Sequence, residues 1–385
     1  MPQARKWCTR ALVMLEGRVV EELPLPGGEP RHPYARMLFD PWGEHDLASN
    51  IIHLVLARVE GAPAGSKGIS LFIVPKILGD GVRNSVRCVG LEEKLGIHAS
   101  PTCVMAYEGA TGWLIGEENK GLAAMFTMMN AARIGVGSQG VAVAEAAYQQ
   151  ALAYARERRQ GGALIIEHPD VRRMLLTMRS KIQAARALCT AAAVAADRGD
   201  HARESLLTPI AKAWSTDLGV EAASLGVQIH GGAGFIEEAG AAQFYRDARI
   251  APIYEGTNGI QAIDLVGRKL QGDGGAAAKA FIQNVREQSI IMKAAKREEL
   301  KAIGQRLEEA AAALRASTDW LLSAASKNPE HALAGATPYL KQFGDVAGGY
   351  YLARGAMAAA VADSQGQGDR AFLQGKIAIA NVFAE

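Results

Sequence analysis

The chain has little of what builds metal or disulfide frameworks. Four cysteines, Cys8, Cys88, Cys103 and Cys189, stand among 385 residues without CxxC spacing. Neither a zinc ribbon nor a disulfide-stapled scaffold is written here. So few thiols fit a reducing compartment, and a cytoplasmic location is expected. His45, His53 and His98 are too scattered for a metal set. Charge of one sign is also lacking. Lys and Arg number 42 against 40 Asp and Glu, for a net charge of +2, so the total implies no nucleic-acid surface. No uninterrupted apolar run approaches the roughly 20 residues of a membrane span, and the alanine-rich run from Leu188 to Ala196 is too short. The opening residues Met1 to Arg10 are basic and mimic a targeting segment, yet no long apolar core with a cleavage site follows.

What is there centres on Arg249-Ile-Ala-Pro-Ile-Tyr-Glu-Gly-Thr-Asn-Gly-Ile-Gln261. It holds one carboxylate, Glu255, in uncharged and largely apolar company. Pro252 biases Ala251 toward an extended shape. Thr257 or Asn258 can cap a helix in which Ile260, Ile263, Val266 and Leu270 recur at helical spacing. The stretch therefore reads as a tight approach, a carboxylate at a corner, and a helix. A carboxylate in apolar surroundings suits a general base working near neutral pH. The same residue also reads as an acid placed favourably at a helix start, and the local text leaves both open.

The chain before this stretch changes period once. Leu12 to Val20 reads as a strand or short helix, and Leu23 to Pro33 as loop. Ile51–Val59, Ile69–Pro75, Asn84–Leu91, Thr102–Tyr107 and Thr111–Ile115 read as strands. From Gly121 the period becomes about 3.6. Gly135-Val-Gly-Ser-Gln-Gly140 has the spelling of a dinucleotide loop, but it sits inside helical text, where glycines suit close helix packing. Arg156, Arg158 and Arg159 end this helix and Gly161-Gly162 breaks it. Pro169 starts a second helix with a buried stripe from Val171 to Cys189, closed by Gly199. Ile210 to Ile229 marks a third, ending at Gly231-Gly232. In the segment Gln243 to Arg249, arginines and Asp247 fix the approach to the corner by ion pairs. The helix after Thr257 completes a four-helix set. Beyond Gly272-Asp-Gly-Gly275 come helices marked by Phe281, Val285, Ile290 and Ile291, by Ile303 to Leu322, and by residues 337–361 and 370–384. Lys293 and Lys296 to Glu299 read as a solvated face.

Tyr254-Glu255-Gly256-Thr257-Asn258-Gly259-Ile260-Gln261 resembles the signature around the catalytic glutamate of the acyl-CoA dehydrogenase family. The run Ala251 to Leu270, with Met125 to Asn130, most resembles the branch typified by 3-methylmercaptopropionyl-CoA dehydrogenase. The resemblance implies FAD-dependent oxidation of an acyl-CoA thioester, 3-methylmercaptopropionyl-CoA or a fatty acyl-CoA, to the trans-2-enoyl-CoA. Glu255 would take the proton next to the thioester carbonyl, and the β hydrogen would leave as hydride to the flavin. The Glu255 amide would help stabilise the developing enolate. Gln228, Gly231 and Gly232 lie in Gln228-Ile-His-Gly-Gly-Ala-Gly-Phe235, which resembles the segment meeting the ADP portion of FAD from a neighbouring subunit; a simple glycine C-cap is the bland alternative. Arg158 holds the arginine position of the family's Tyr-Ala-x-x-Arg segment, although Gly161 replaces the aromatic that commonly follows. Thr257 would lie near FAD, and Arg133 matches a buried arginine near the active centre. An electron-transfer flavoprotein would reoxidise the flavin, and a homo-oligomer is implied.

The expected fold is mainly α with a partial β domain. Residues 1–38 are unassigned, 39–117 form part of the family's middle β domain, 118–272 a flavin-associated four-helix bundle, and 273–385 an additional helical region that supports the oligomer. The resemblance covers about Gly43 onward, so an N-terminally truncated member is expected. That leaves a second class of reading open: a noncatalytic helical assembly or partner-binding protein on the same fold. Half a β domain also implies open strand edges.

Overall fold

The computed structural model describes residues 10–15, 18–24 and 50–385. The expected loop after Pro24, the Gly43–Asp46 segment with His45, and Cys8 lie outside the described residues. The chain divides into two compact units, the first ending at Met128 and the second running Met129–Glu385.

The first unit holds small antiparallel sheets. The Leu12–Val20 region is strand, in a hairpin of β1 (Arg10–Leu15) and β2 (Arg18–Pro24). β3 (Ile52–Arg58), β4 (Ile69–Pro75) and β7 (Trp113–Ile115) form one sheet in the order β3-β4-β7. Among the described residues, β5 (Val86–Leu91) pairs only with β6 (Cys103–Tyr107). Neither sheet closes among the described residues. Ile52, Leu54 and Leu56 alternate along the exposed face of β3, so the pleat turns its larger apolar side chains outward. Buried Asn84 donates to Pro75 O and Thr111 O at 2.8 Å each, and so ties the end of β4 to the approach to β7.

The second unit is helical. It takes in most of α1 (Gly121–Glu157), then a two-residue hairpin of β8 (Arg159–Gln160) and β9 (Ala163–Leu164) around Gly161-Gly162. α2 (Pro169–Asp197) starts at Pro169 as expected, and its stripe from Met174 to Cys189 is buried. α3 (His201–His230) begins well before the expected Ile210, because Asp200 caps it by accepting from Arg203 N. Pro209 therefore sits inside the helix and cannot bond the Ser205 carbonyl four residues back. Lys269 Nζ donates to that carbonyl instead, and to Ser205 Oγ at 3.0 Å.

α1 and α3 run parallel and nearly touch. A Cβ on Gly137 would meet Ala211 O at 2.9 Å, and one on Gly140 would meet Ser215 O at 2.4 Å. Further along the pair, Tyr154 stacks on His230 with ring centroids 4.4 Å apart. α2 runs antiparallel to both, shown by Arg186–Glu145 at 2.7 Å, Lys181–Glu221 at 2.7 Å and Cys189 Sγ–Ser215 Oγ at 3.4 Å.

After the short α4 (Ala241–Ala248) comes the corner, then α5 (Asn258–Ile263). α5 runs on through a π-helical segment (Asp264–Lys269) into a last α turn (Leu270–Gly272). Thr257 is the cap, accepting from Ile260 N at 3.3 Å. The expected stripe is displaced: Ile260 and Ile263 are exposed, while Gln261 and Asp264 are buried beside Ala262, Leu265, Val266 and Leu270. The wider turn of the π segment shifts which residues face inward.

α6 (Ala276–Lys293), α7 (Glu298–Lys327), α8 (Pro329–Ala334), α9 (Ala336–Ser364) and α10 (Arg370–Ala384) complete the chain. Ile290 and Ile291 face out; Phe281, Ile282, Val285 and Met292 carry the buried side of α6. The charged stretch between α6 and α7 is partly structural. Lys293 pairs with Glu308 at 2.6 Å, and Arg297 pairs with Asp363 of α9. Gly344 of α9 packs so closely that a Cβ there would meet the Trp214 ring at 2.4 Å, and Trp214 Nε1 donates to Asp345 at 2.9 Å. One hydrophobic core runs from Val141 to Ala380 across residue 272.

Candidate active site

Glu255 occupies the corner between α4 and α5 in a left-handed conformation, φ 55°, and Gly256 follows at φ 85°. A non-glycine residue at positive φ is strained and persists only where its surroundings over-determine it. Here they do. The Glu255 carbonyl accepts long bonds from Arg133 Nε at 3.3 Å and Gln261 Nε2 at 3.4 Å. The Gly256 carbonyl accepts from Lys212 Nζ at 2.9 Å and Gln261 Nε2 at 3.2 Å. Glycine is favoured there by φ, and a Cβ would crowd the Gln261 amide, which it would meet at 2.9 Å.

The groups behind the corner are buried. Lys212 is 0% exposed and Arg133 is 3% exposed. Lys212 also donates to Asn258 Oδ1 at 2.9 Å. The Asn258 amide donates in turn to Ala213 O, Thr216 Oγ1 and Asp217 Oδ1, which fixes how its oxygen points. Burial pulls the Lys212 ammonium down to about 8, against the opposing pull of Asp217. Burial likewise lowers Arg133 and raises Asp217. Tyr254, next to Glu255, donates to Gln139 on α1.

The Glu255 carbonyl is held, but its other polar groups are not. Among the described residues, neither its amide N–H nor its carboxylate has a hydrogen-bond or ion-pair partner. The corner thus presents an acceptor and a donor from one residue, half-buried, on a turn fixed from behind. That is the equipment of a base which also steadies the charge it creates.

The remaining expected residues lie elsewhere. Arg158 is exposed just past the end of α1; Gln228, Gly231 and Gly232 are exposed at the end of α3. The Tyr154–His230 stack brings these two helix ends together. Between Arg133 and Arg158 lies roughly 35 Å of helix, and between Lys212 and Gln228 roughly 24 Å. Within one chain the corner and the glycine-rich turn therefore occupy opposite ends of the α1/α3 pair. Gly231 has φ 61°, and neither Gly231 nor Gly232 has any atom within 4 Å of where a Cβ would stand. Of the ion pairs expected in that segment, Arg246 forms one with Glu237 at 2.6 Å, while Asp247 accepts from Gln243 at 3.3 Å. Among the described residues no cluster of His, Cys, Asp or Glu is arranged to hold a metal, and no helix is long and apolar enough to cross a membrane.

Sequence reasoning missed Lys212, Gln261 and Asn258 as builders of the corner. A signal was present for Lys212. It is the one charge in Leu206-Leu-Thr-Pro-Ile-Ala-Lys-Ala-Trp214, a run with no polar face to receive it.

Residues 119–270 match the model of the acyl-CoA dehydrogenase C-terminal domain, and residues 277–385 match that described as acetyl-CoA dehydrogenase C-terminal like. The 3-methylmercaptopropionyl-CoA dehydrogenase of Ruegeria pomeroyi is 50% identical over 376 residues, covering 90% of this chain and 63% of the relative. The butyryl-CoA dehydrogenase structure from Megasphaera elsdenii is 32% identical with a TM-score of 0.51, over 57% of this chain and 56% of that one. The Caenorhabditis elegans ACDH-11 structure, solved with C11-CoA, has a TM-score of 0.74 at 23% identity over 86% of this chain and 56% of that one, a likeness of fold. The chain spans under two thirds of the length of the Ruegeria relative. The order of motifs, the helical architecture and these matches agree: the chain belongs to the acyl-CoA dehydrogenase family, close to the 3-methylmercaptopropionyl-CoA dehydrogenase branch.

Proposed function

We propose that this chain supplies the base and part of the cofactor site of an FAD-dependent acyl-CoA dehydrogenase. The observation that carries this is the Glu255 corner, where a fixed backbone presents a carboxylate and an amide N–H that have no partner among the described residues. The carboxylate takes the proton from the carbon next to the thioester carbonyl. The amide N–H of the same residue donates to the carbonyl oxygen as it becomes an enolate. FAD, when bound, supplies the two-electron acceptor that no side chain provides. The product is the trans-2-enoyl-CoA.

The residues present fit the adenosine diphosphate portion of that cofactor. Arg158 offers an exposed guanidinium, Gln228 an exposed amide, and the turn at Gly231 and Gly232 an open backbone without side chains. Their distance from Glu255 along the helices supports a reading in which one subunit's glycine-rich turn serves another's corner, and hence a homo-oligomer. Thr257, one residue beyond Gly256, would contact the flavin side of the site. Identity to the Ruegeria enzyme supports 3-methylmercaptopropionyl-CoA as the first substrate to try, with fatty acyl-CoAs next. An electron-transfer flavoprotein is the natural oxidant of the reduced cofactor, and a cytoplasmic location accords with the few scattered cysteines.

The test is the visible spectrum of the full chain reconstituted with FAD, before and after anaerobic addition of acyl-CoAs. Bleaching of bound flavin, lost in Glu255→Gln with flavin retained, is the expected result. Folded protein that retains no flavin would leave the noncatalytic reading.

A further inference from the structure

A glutamate at a left-handed corner is an unstable arrangement by itself. The left-handed conformation costs a side-chain-bearing residue about 1–2 kcal/mol. Two successive positive-φ residues also turn two carbonyls inward, where each needs a donor. The donors come from three elements: Arg133 from α1, Gln261 from α5 and Lys212 from α3.

Lys212 differs from the other two. It is 0% exposed, yet among the described residues no carboxylate touches its ammonium. Its partners are a carbonyl and an amide oxygen, and Asp217 acts on it only at a distance. Burying an ammonium this way is costly, and a methionine would fill the space without that cost. Both partners belong to the corner: Gly256 follows Glu255, and Asn258 opens α5. Asn258 is itself held in orientation by three acceptors on α3.

We propose that Lys212 is the positioning residue for Glu255: its ammonium, bonded to Gly256 O and Asn258 Oδ1, locks the left-handed turn that aims the carboxylate and amide N–H of Glu255. The role rests on the reading of Glu255 as the base. Lys212 lies behind the turn and acts through it. The charged groups facing it are Arg133 from α1, Asp217 on its own helix, and Glu255 at the corner.

The experiment compares the full chain with Lys212→Met, both reconstituted with FAD. Hydrogen exchange of residues 252–259 is read by mass spectrometry, and flavin bleaching by an acyl-CoA is read by stopped flow. The expected result is exchange at the corner at least tenfold faster in Lys212→Met, with α2 and α9 unchanged. Bleaching slows at least tenfold, while flavin content and half-saturating acyl-CoA stay within about threefold. Lys212→Gln, which keeps a neutral donor at the same place, supplies a second arm. Its corner exchange and its bleaching rate should both lie between those of the wild type and those of Lys212→Met. An unchanged corner in Lys212→Met, or a loosened corner with an unchanged bleaching rate, overturns the proposal. A wild type that no acyl-CoA bleaches defeats the dehydrogenase reading, and the exchange comparison alone then decides whether Lys212 holds the turn.

Discussion

Arg133 and Asp264 form an ion pair at 3.7 Å with both side chains only 4% exposed. Asp264 also binds Arg268 at 2.6 Å, so one carboxylate joins α1 to the π segment. Removing one member of a buried pair strands the other. Asp264→Asn should therefore lower stability by about 3 kcal/mol, read as a shift in urea midpoint. The double variant Arg133→Met, Asp264→Leu should recover much of that loss. A single variant as stable as the parent would show that the pair contributes nothing.

The glycines of α1 sort by what faces them. A Cβ on Gly140 would come within 2.4 Å of Ser215 O, whereas Gly135 has nothing within 4 Å. Gly140→Ala should cost about 1–3 kcal/mol by prying α1 from α3. Gly135→Ala should gain about 0.5–1 kcal/mol from helix propensity alone. Thermal melts of the two variants should move in opposite directions, and movement in the same direction would refute the packing argument.

Strain at the corner predicts a trade between stability and chemistry. Glycine relieves the left-handed backbone at residue 255, so Glu255→Gly should be as stable as the parent or more stable by up to about 1 kcal/mol. It should lose flavin bleaching entirely. Gly256→Ala is expected to do the reverse to stability, losing about 1–3 kcal/mol, since both φ and Gln261 oppose a side chain there. Paired denaturation curves and bleaching assays check both.

Buried titratable groups set the alkaline behaviour. Lys212 is pulled down to about 8, and Lys269 and Lys376 are lowered as well, in each case first by burial. The unfolded chain then binds more protons between about pH 8 and the ordinary lysine value near 10.5. Their stabilising contribution thus grows as pH rises through that window and is lost as pH falls through about 8. Tyr254, Tyr339 and Tyr351 are raised, again first by burial, so their contribution is present below about pH 10 and fades above it. Urea midpoints at fixed ionic strength should climb from about pH 7.5 to 9.5 and turn down beyond about pH 10. Lys212→Met should show a shallower climb. A midpoint that falls steadily from pH 7.5 would contradict these shifts.

Much of this architecture is legible in the sequence. Ile69–Pro75 is a strand to the residue, because Pro75 ends it and its branched side chains favour the pleat. α2 was readable from Pro169 onward because Met174, Leu175, Met178, Ile182, Ala185 and Leu188 keep one strict period. The corner was readable as a corner. Its inner side was not, since Lys212 and Gln261 are remote in sequence from the carbonyls they hold or look like surface residues in local text. The displaced face of α5 was hidden for another reason. A π turn leaves no compositional mark, so Ile260 and Ile263 keep the spacing of buried residues while Gln261 and Asp264 take the interior.

The contact between α1 and α3 works as a ruler. Two helices in backbone contact at Gly137 and Gly140 cannot slide along each other without colliding with Ala211 and Ser215. The span from the Arg133 rung to the Tyr154 rung is then fixed by residue count alone. One residue inserted between Val141 and Tyr148 would advance everything beyond it by about 1.5 Å and rotate it by about 100°. The Glu255 corner would be untouched, while Tyr154 would swing off His230 and carry Arg158 away from the glycine-rich turn. Length along this pair is thus constrained as tightly as the glycines at its contact.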